Sequence, residues 1–339
     1  LIITLIPGGI FVNNRDEIIK VIKRKFPDQR TNQYRISFYG DDNSAIYCEV
    51  DSEGMKKELM NTFKEELGSF SEITVRIMGE ELPDKLRFGQ VTIPVVDVRK
   101  DPRFRSERVR QLIFGDFVTV LQLGNEYTLV KDFQNGYIGY VNSNAITFAD
   151  QKRVESLMRI EDKTVFSRFA RLKLLKKEQP PFWIPMGSKL KIKDGAVKTA
   201  GKDFQLLDGE VRAKDEIRVD DLNLLIRHFY GTPYLWGGST VLGTDCSGFV
   251  GRLAKMLGKP IPRDADQQEQ YLDKNDKENL SFGDLIFFPG HVGMYIGNET
   301  MAHANVHHGF VCNDKIFNAD YLYGFELEKK ITSFRKLFR

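Results

Sequence analysis

The chain has 339 residues, 41% of them hydrophobic and 29% charged, with a formal net charge of +3. That length suits two to four domains, because single cores seldom grow beyond about 250 residues. The small charge and the lack of any block of like charges give no nucleic-acid arm, and Arg168, Arg171, Lys173, Lys176 and Lys177 read as a solvated face.

No stretch reaches the ~18 apolar residues a membrane span needs. The opening run Leu1–Ile6 is too short for a signal peptide and lacks a basic flank. The first residue is not Met, so a trimmed leader and the localisation both stay open. Three cysteines, Cys48, Cys246 and Cys312, are too few and too dispersed for a disulfide framework and lack metal-ligand spacing. One can be a working thiol, with the other two as buried small hydrophobes.

Residues 1–86 predict a small α/β domain of split βαβ type. Its expected strands are Ile2–Ile6, Tyr34–Tyr39, Ala45–Val50 and Ile73–Met78, with helices over Asp16–Lys25 and Glu53–Leu67. In the second helix Met55, Leu59, Phe63 and Leu67 recur at helical spacing. Residues 87–149 change to short alternating runs between turn residues, with strands expected at Val91–Val96, Phe117–Gln122, Tyr127–Lys131 and Tyr137–Val141. So many short strands in about sixty residues imply a small barrel. Residues 150–214 read as a charged connector or exposed helix over Asp150–Lys163. A second, shorter barrel with strands Phe169–Leu175, Lys189–Ile192 and Phe204–Leu207 is expected to follow.

The chemistry sits in residues 215–339. Glycines 237, 238 and 243 make a loop, after which Phe249, Val250, Leu253, Ala254 and Leu257 mark one face of a helix. Asp245 is placed to cap it, Cys246 falls in its first turn, and Gly258 with Pro260 ends it. Unpaired backbone N–H groups and the positive end of the helix dipole are expected to lower a thiol's pKa there and to hold an oxyanion.

A nucleophile also needs a base. Four of the five histidines lie between 291 and 308. Residues 283–297 read as two strands joined at Pro289-Gly290, with His291, Gly293 and Tyr295 on one face. A third strand from Thr300 carries His303, and a meander would set His291 beside it, opposite the Cys246 helix. These are the parts of a Cys-His-polar triad, with His303 accepting a hydrogen bond from His291 and fixing its tautomer. His307 and His308 fall on a turn, and a zinc site built from them with His303 and a cysteine has no recognised spacing. His228 lies in an expected helix, Leu222–Tyr230, as a packing or surface residue.

Six elements in order resemble the NlpC/P60 family of cell-wall cysteine peptidases: Tyr234-x-Trp-Gly-Gly, Asp245-Cys-Ser-Gly, Pro262-Arg-Asp, Gly283-Asp-Leu-Ile-Phe-Phe, His291-Val-Gly-Met-Tyr-Ile-Gly and Ala302-His-Ala. The segments Val91–Pro102 and Gly136–Val141 resemble a bacterial SH3-like domain. The resemblance implies a multidomain α+β protein: a papain-like catalytic domain preceded by SH3-like β-barrels and the small N-terminal α/β domain. It implies hydrolysis of the γ-D-glutamyl–diamino acid bond of peptidoglycan or murein peptides, in particular short peptides with a free N-terminal L-Ala. Cys246 is then the nucleophile, His291 the base, His303 the orienting group, and Tyr234 places its hydroxyl near the oxyanion.

Trp236, Asp245, Ser247 and Asp264 would line the substrate pocket. Ala265 stands where the trimmed-peptide subset tends to carry Ser, which removes one substrate hydrogen bond. Tyr137, with Asp101 or Glu107, is the expected contribution of the first SH3-like domain. A buried ammonium must meet carboxylates or lose several kcal/mol, roughly, to desolvation. The chemistry requires neither metal nor organic cofactor. The alternatives are a papain-like amidase or acyltransferase on cell-wall material, and a non-catalytic wall-binding protein, which would need a disabled triad.

Overall fold

The structure is a computed structural model that describes residues 15–39, 45–66, 72–176 and 178–338. The expected strand Ile2–Ile6 lies outside them. In the N-terminal unit, helix Glu53–Glu66 turns Met55, Leu59 and Phe63 inward, as its spacing requires. They pack with Ile18, Ile22 and Phe26 of helix Arg15–Lys25 against the sheet Tyr34–Tyr39, Ala45–Val50 and Glu72–Ile77. The last two strands pair in parallel across the intervening helix. Cys48 is buried in this cluster, where desolvation pushes its thiol up to about 12.

Residues 88–149 form a seven-stranded antiparallel sheet in the order Ile146–Ala149, Phe88–Val91, Phe117–Gln122, Tyr127–Asp132, Ile138–Asn142, Val95–Arg99 and Arg108–Ile113. The single strand expected over Val91–Val96 is therefore two. Pro94 fixes its own φ and lacks an N–H for the ladder, so the chain breaks pairing across 92–94 and resumes at Val95. Arg108–Ile113, hidden in the sequence by its two arginines, is the partner that Val95–Arg99 gains.

The charged stretch after it folds as helix Gln151–Met158, capped by Asp150, whose Oδ1 accepts from the Arg153 N–H at 2.7 Å. It buries Val154 and Leu157 against Phe117 and Ala149. A second seven-stranded antiparallel sheet follows, and it contains Phe169–Leu174, Lys189–Lys193 and Phe204–Asp208. Four short strands complete it: Asp162–Val165, Phe182–Pro185, Ala196–Lys198 and Val211–Ala213.

The C-terminal unit is built on a six-stranded antiparallel sheet in the order Asp273–Asn275, Ser333–Lys336, Leu285–Phe288, His291–Gly297, Thr300–Ala304 and Val311–Lys315. Strand alternation divides its side chains between two cores. Val292, Met294, Ala302 and Ala304 join Phe249, Val250 and Leu253 of helix Cys246–Met256 and Leu225, Ile226 and Phe229 of helix Leu222–Phe229. Phe166 and Met186, which follow strands Asp162–Val165 and Phe182–Pro185 of the second seven-stranded sheet, are buried in the same cluster. Ile286, Phe288 and Met301 face the other way, toward Phe317 and Leu327.

His291 and His303 belong to this second alternation set. The helix side chains thus cover the sheet face that the histidines do not occupy. The expectation that the histidine face lies opposite the helix body is corrected: Cys246 meets the sheet at the helix tip, where strand His291–Gly297 begins. No helix among the described residues is long and apolar enough to cross a membrane.

Candidate active site

Asp245 organises the cysteine loop. Its Oδ1 accepts from the Gly248 N–H at 2.7 Å, capping helix Cys246–Met256, while its Oδ2 accepts from the Gly237 N–H at 2.8 Å. The guanidinium of Arg263 closes on both oxygens, at 3.1 and 2.7 Å, and the Ser247 hydroxyl donates to Oδ1 at 3.3 Å. Both members of this ion pair are buried. The glycines are required here. Gly237 has φ +73°, and a Cβ on it would stand 2.3 Å from the Arg108 carbonyl oxygen; one on Gly248 would stand 2.1 Å from that of Gly238.

Cys246 is buried at the start of the helix. The backbone N–H groups of Val292 and Ser247 are directed at its sulfur and favour the thiolate. Burial works against them and, with the adjacent Asp245 charge, pushes the thiol up to about 11. The expected acidification by the helix end is thus outweighed by desolvation. Val292 follows His291 in sequence, so the sulfur lies beside the His291–Val292 peptide.

His291 Nε2 is 2.8 Å from His303 Nδ1, the pairing expected from the meander. His303 Nε2 is in turn 2.7 Å from Asp314 Oδ2. Asp314 also accepts from the Tyr321 hydroxyl at 3.0 Å and faces His308 Nε2 at 3.1 Å. Burial pushes its carboxyl up, but the hydrogen bonds from His303, Tyr321 and His308 outweigh that and hold it below the ordinary value. An ionised carboxylate only accepts, so His303 carries its proton on Nε2 and offers a bare Nδ1. His291 then donates from Nε2, which leaves its Nδ1 lone pair free. Burial, and then the neighbouring His303, lowers His291 to about 3.

His303 Nε2, Cys312 Sγ and the Asp314 carboxylate lie within 4.8 Å of one another, donor types that suit a metal ion. The Asn305 amide nitrogen, however, stands 2.7 Å from His303 Nε2 and 3.5 Å from Cys312 Sγ, and the His303–Asp314 contact is a hydrogen bond. His303 Nε2 is thus already engaged by the Asp314 carboxylate.

Cys246 opens onto a cavity of about 770 Å³ shared by three parts of the chain. Tyr234, Trp236, Asp245, Ser247 and Asp264 all line it, as does Tyr137 from the first seven-stranded sheet. Tyr234 pairs with Thr244 beside the cysteine loop, and burial, followed by Cys246 and Asp245, pushes its phenol up to about 12, so it remains a donor. Trp236 donates from its indole to Glu107 at 2.9 Å. Tyr137 donates to Asp264 Oδ2 at 3.2 Å. Asp245 and Ser247 reach the cavity wall, but their polar atoms are committed to the loop and to Arg263, which bonds the Ser247 hydroxyl at 2.8 Å. Asp245 thus serves as helix cap and partner of Arg263 while also lining the cavity.

Three residues escaped the sequence reading. Arg263 sits within the Pro262-Arg-Asp motif that drew attention to Asp264. Asp314 lies on strand Val311–Lys315, whose Val-Cys-Asn-Asp-Lys sequence carries no clear period. Arg30 comes from the N-terminal unit, more than two hundred residues away in sequence.

The NlpC/P60 family pattern matches residues 231–322, and that of the bacterial dipeptidyl-peptidase Sh3 domain matches residues 98–146. The chain is 37% identical over 107 residues to a probable endopeptidase NlpC of Escherichia coli, covering 29% of this chain and 70% of that protein. It belongs to the NlpC/P60 family. It is also 43% identical over 93 residues to a gamma-D-glutamyl-L-lysine dipeptidyl-peptidase of Bacillus cereus, over 25% of this chain and 28% of that one. The match spans 28–41% of the length of this relative, its Bacillus subtilis counterpart and dipeptidyl-peptidase 6 of Lysinibacillus sphaericus. An NlpC/P60 protein structure from Bacillus cereus superposes with a TM-score of 0.63 at 22% identity, covering 74% of this chain and 99% of that one, which shows a shared fold. The NlpC/P60 match encloses Tyr234, Cys246, Arg263, His291, His303 and Asp314, and the Sh3 match encloses Glu107 and Tyr137.

Asp245→Asn keeps an acceptor for the cap but strands the Arg263 charge in a buried site. Breaking a buried pair in this way costs about 3–5 kcal/mol. Urea unfolding followed by circular dichroism should show that loss, and a variant within 1 kcal/mol, roughly, of the parent would contradict the role given to the pair.

Proposed function

We propose that the chain is a cysteine endopeptidase that hydrolyses the γ-D-glutamyl–diamino acid bond of peptidoglycan-derived peptides, acting on short peptides with a free N-terminal L-Ala. The observation that carries this reading is the hydrogen-bonded line from His291 through His303 to Asp314, starting beside the peptide whose N–H faces the Cys246 sulfur. The names of the dipeptidyl-peptidase relatives support the choice of bond.

Burial keeps the resting thiol and imidazole neutral, so charge arises on both together. The Cys246 proton passes to Nδ1 of His291 as the sulfur attacks the γ-carbonyl carbon. The carbonyl electron pair moves to oxygen, where the Cys246 backbone N–H and the Tyr234 hydroxyl are the available donors. The tetrahedral adduct collapses, the C–N bond breaks, and the proton on His291 leaves with the diamino acid's amine. Water then attacks the thioester and gives a proton to His291; the C–S bond breaks, the sulfur takes that proton back, and the γ-D-glutamyl acid leaves.

Asp314 acts through His303 and is a positioning residue in this scheme. Its carboxylate sets both imidazole tautomers so that the base faces sulfur with a lone pair. An amide at 314 would offer His303 Nε2 a donor and favour the reversed pair.

Three outcomes follow. Cys246→Ala should abolish release of the diamino acid from L-Ala-γ-D-Glu-diaminopimelate or its lysine counterpart while the circular dichroism spectrum stays unchanged; retained turnover would reject the assignment. Asp314→Asn should lower kcat by about 10²–10⁴-fold, the usual worth of a general base, with KM little changed. A kcat within threefold or so of the parent would remove Asp314 from the scheme. Protonation of His291 removes the base, so activity is lost as pH falls through its folded-state value. With that value lowered to about 3, the acid limb of kcat/KM should lie well below the ordinary imidazole value of 6.5; a midpoint near 6.5 would contradict it.

A further inference from the structure

Gln29, Arg30 and Gln33, which belong to the N-terminal unit rather than to the peptidase fold, line the cavity together with Cys246 and Asp264. Arg30 uses its guanidinium fully. Its Nε and Nη2 bond the two Asp28 oxygens at 2.9 Å each. Nη1 bonds Asp264 Oδ2 at 2.9 Å and Asp266 Oδ1 at 2.8 Å, and Nη2 bonds Asp266 Oδ2 at 2.8 Å. The turn is tied down further by its backbone, since the Ile138 N–H donates to the Arg30 carbonyl at 2.7 Å. Gln267 donates to Asp28 Oδ2 at 2.6 Å. A planar five-donor fork held on three carboxylates is a rigid element, which a lysine could not reproduce.

The charges around it do not balance. Asp28, Asp264 and Asp266 surround the single cation of Arg30, while Arg263 is matched by Asp245. Asp264 Oδ2 is taken by Arg30 and Tyr137, whereas Oδ1 stands 4.0 Å from Arg263, outside hydrogen-bond reach. Burial raises the Asp264 pKa, so a further cation beside it would be stabilised. A ligand group reaching this end of the cavity meets an under-compensated carboxylate and must bring positive charge. A primary ammonium fits; an amide nitrogen, neutral and followed by more chain, meets the Arg30 turn.

We propose that residues 28–33 form the blind end of the substrate cleft, and that Arg30 orients Asp264 and excludes peptides extended beyond their amino end. This rests on the peptidase reading above and gives the N-terminal unit a part in specificity.

The test uses the full chain and two peptides, L-Ala-γ-D-Glu-diaminopimelate and the same peptide extended by Gly at its amino end. The unaltered chain should turn over the first with a kcat/KM at least a hundred times that for the second. Arg30→Ala should raise kcat/KM for the extended peptide tenfold or more and change that for the free peptide less. Arg30→Lys keeps the charge without the fork and should fall between the two. Loss of both activities in parallel, or an unchanged ratio, would overturn the wall; turnover of the free peptide checks that each variant is folded. An unaltered chain that cleaves neither peptide contradicts the peptidase reading instead, which separates the two failures.

Discussion

The site depends on one buried ion pair, Asp245 with Arg263. One carboxylate caps the cysteine helix, fastens the Gly237 loop and neutralises a guanidinium that in turn holds Ser247 and the Gly238 carbonyl. Each of these groups would be costly to bury alone, and together they offset one another. The pair thereby fixes where the first turn of helix Cys246–Met256 begins. The apolar face of the same helix fixes where it lies on the sheet. Position of the sulfur thus follows from an electrostatic knot at the helix tip and a packed core behind it.

Burial has a second consequence. Isolated charges on Cys246 and His291 are both disfavoured, so in the proposed mechanism proton transfer between them has to be directed rather than driven by a resting thiolate. Direction comes from the far end of the hydrogen-bonded line. Asp314 can only accept, and two imidazoles relay that restriction to Nδ1 of His291. A histidine as third member, which alone offers only a lone pair, is in this way backed by a full negative charge. Asp264 and Asp266 also line the cavity, where both are bonded by Arg30.

Much of this was legible in the sequence. The helix–strand–strand–helix–strand order over residues 15–77, the Asp245 cap, the Cys246 helix and the His291–His303 pairing follow from period, caps and turn residues, all of which are local. What was missed depends on contacts between distant segments. Pro94 divides a run that alternates well enough to read as one strand. Arg108–Ile113 reads as polar because its arginines find carboxylates only in the fold, Asp97 for Arg108 and Asp132 for Arg110. Asp314 and Arg30 gain their meaning from partners on other strands and other units. The sheet face was misjudged because alternation defines two faces without saying which one the helix covers.

The most direct measurement is the position of the protons on His291 and His303, read from nitrogen-15 imidazole shifts in histidine-labelled protein at neutral pH. The account predicts protonated Nε2 and bare Nδ1 on both rings. Protonated Nδ1 on His291, with its Nε2 bare, would contradict it, because no lone pair would then face the sulfur.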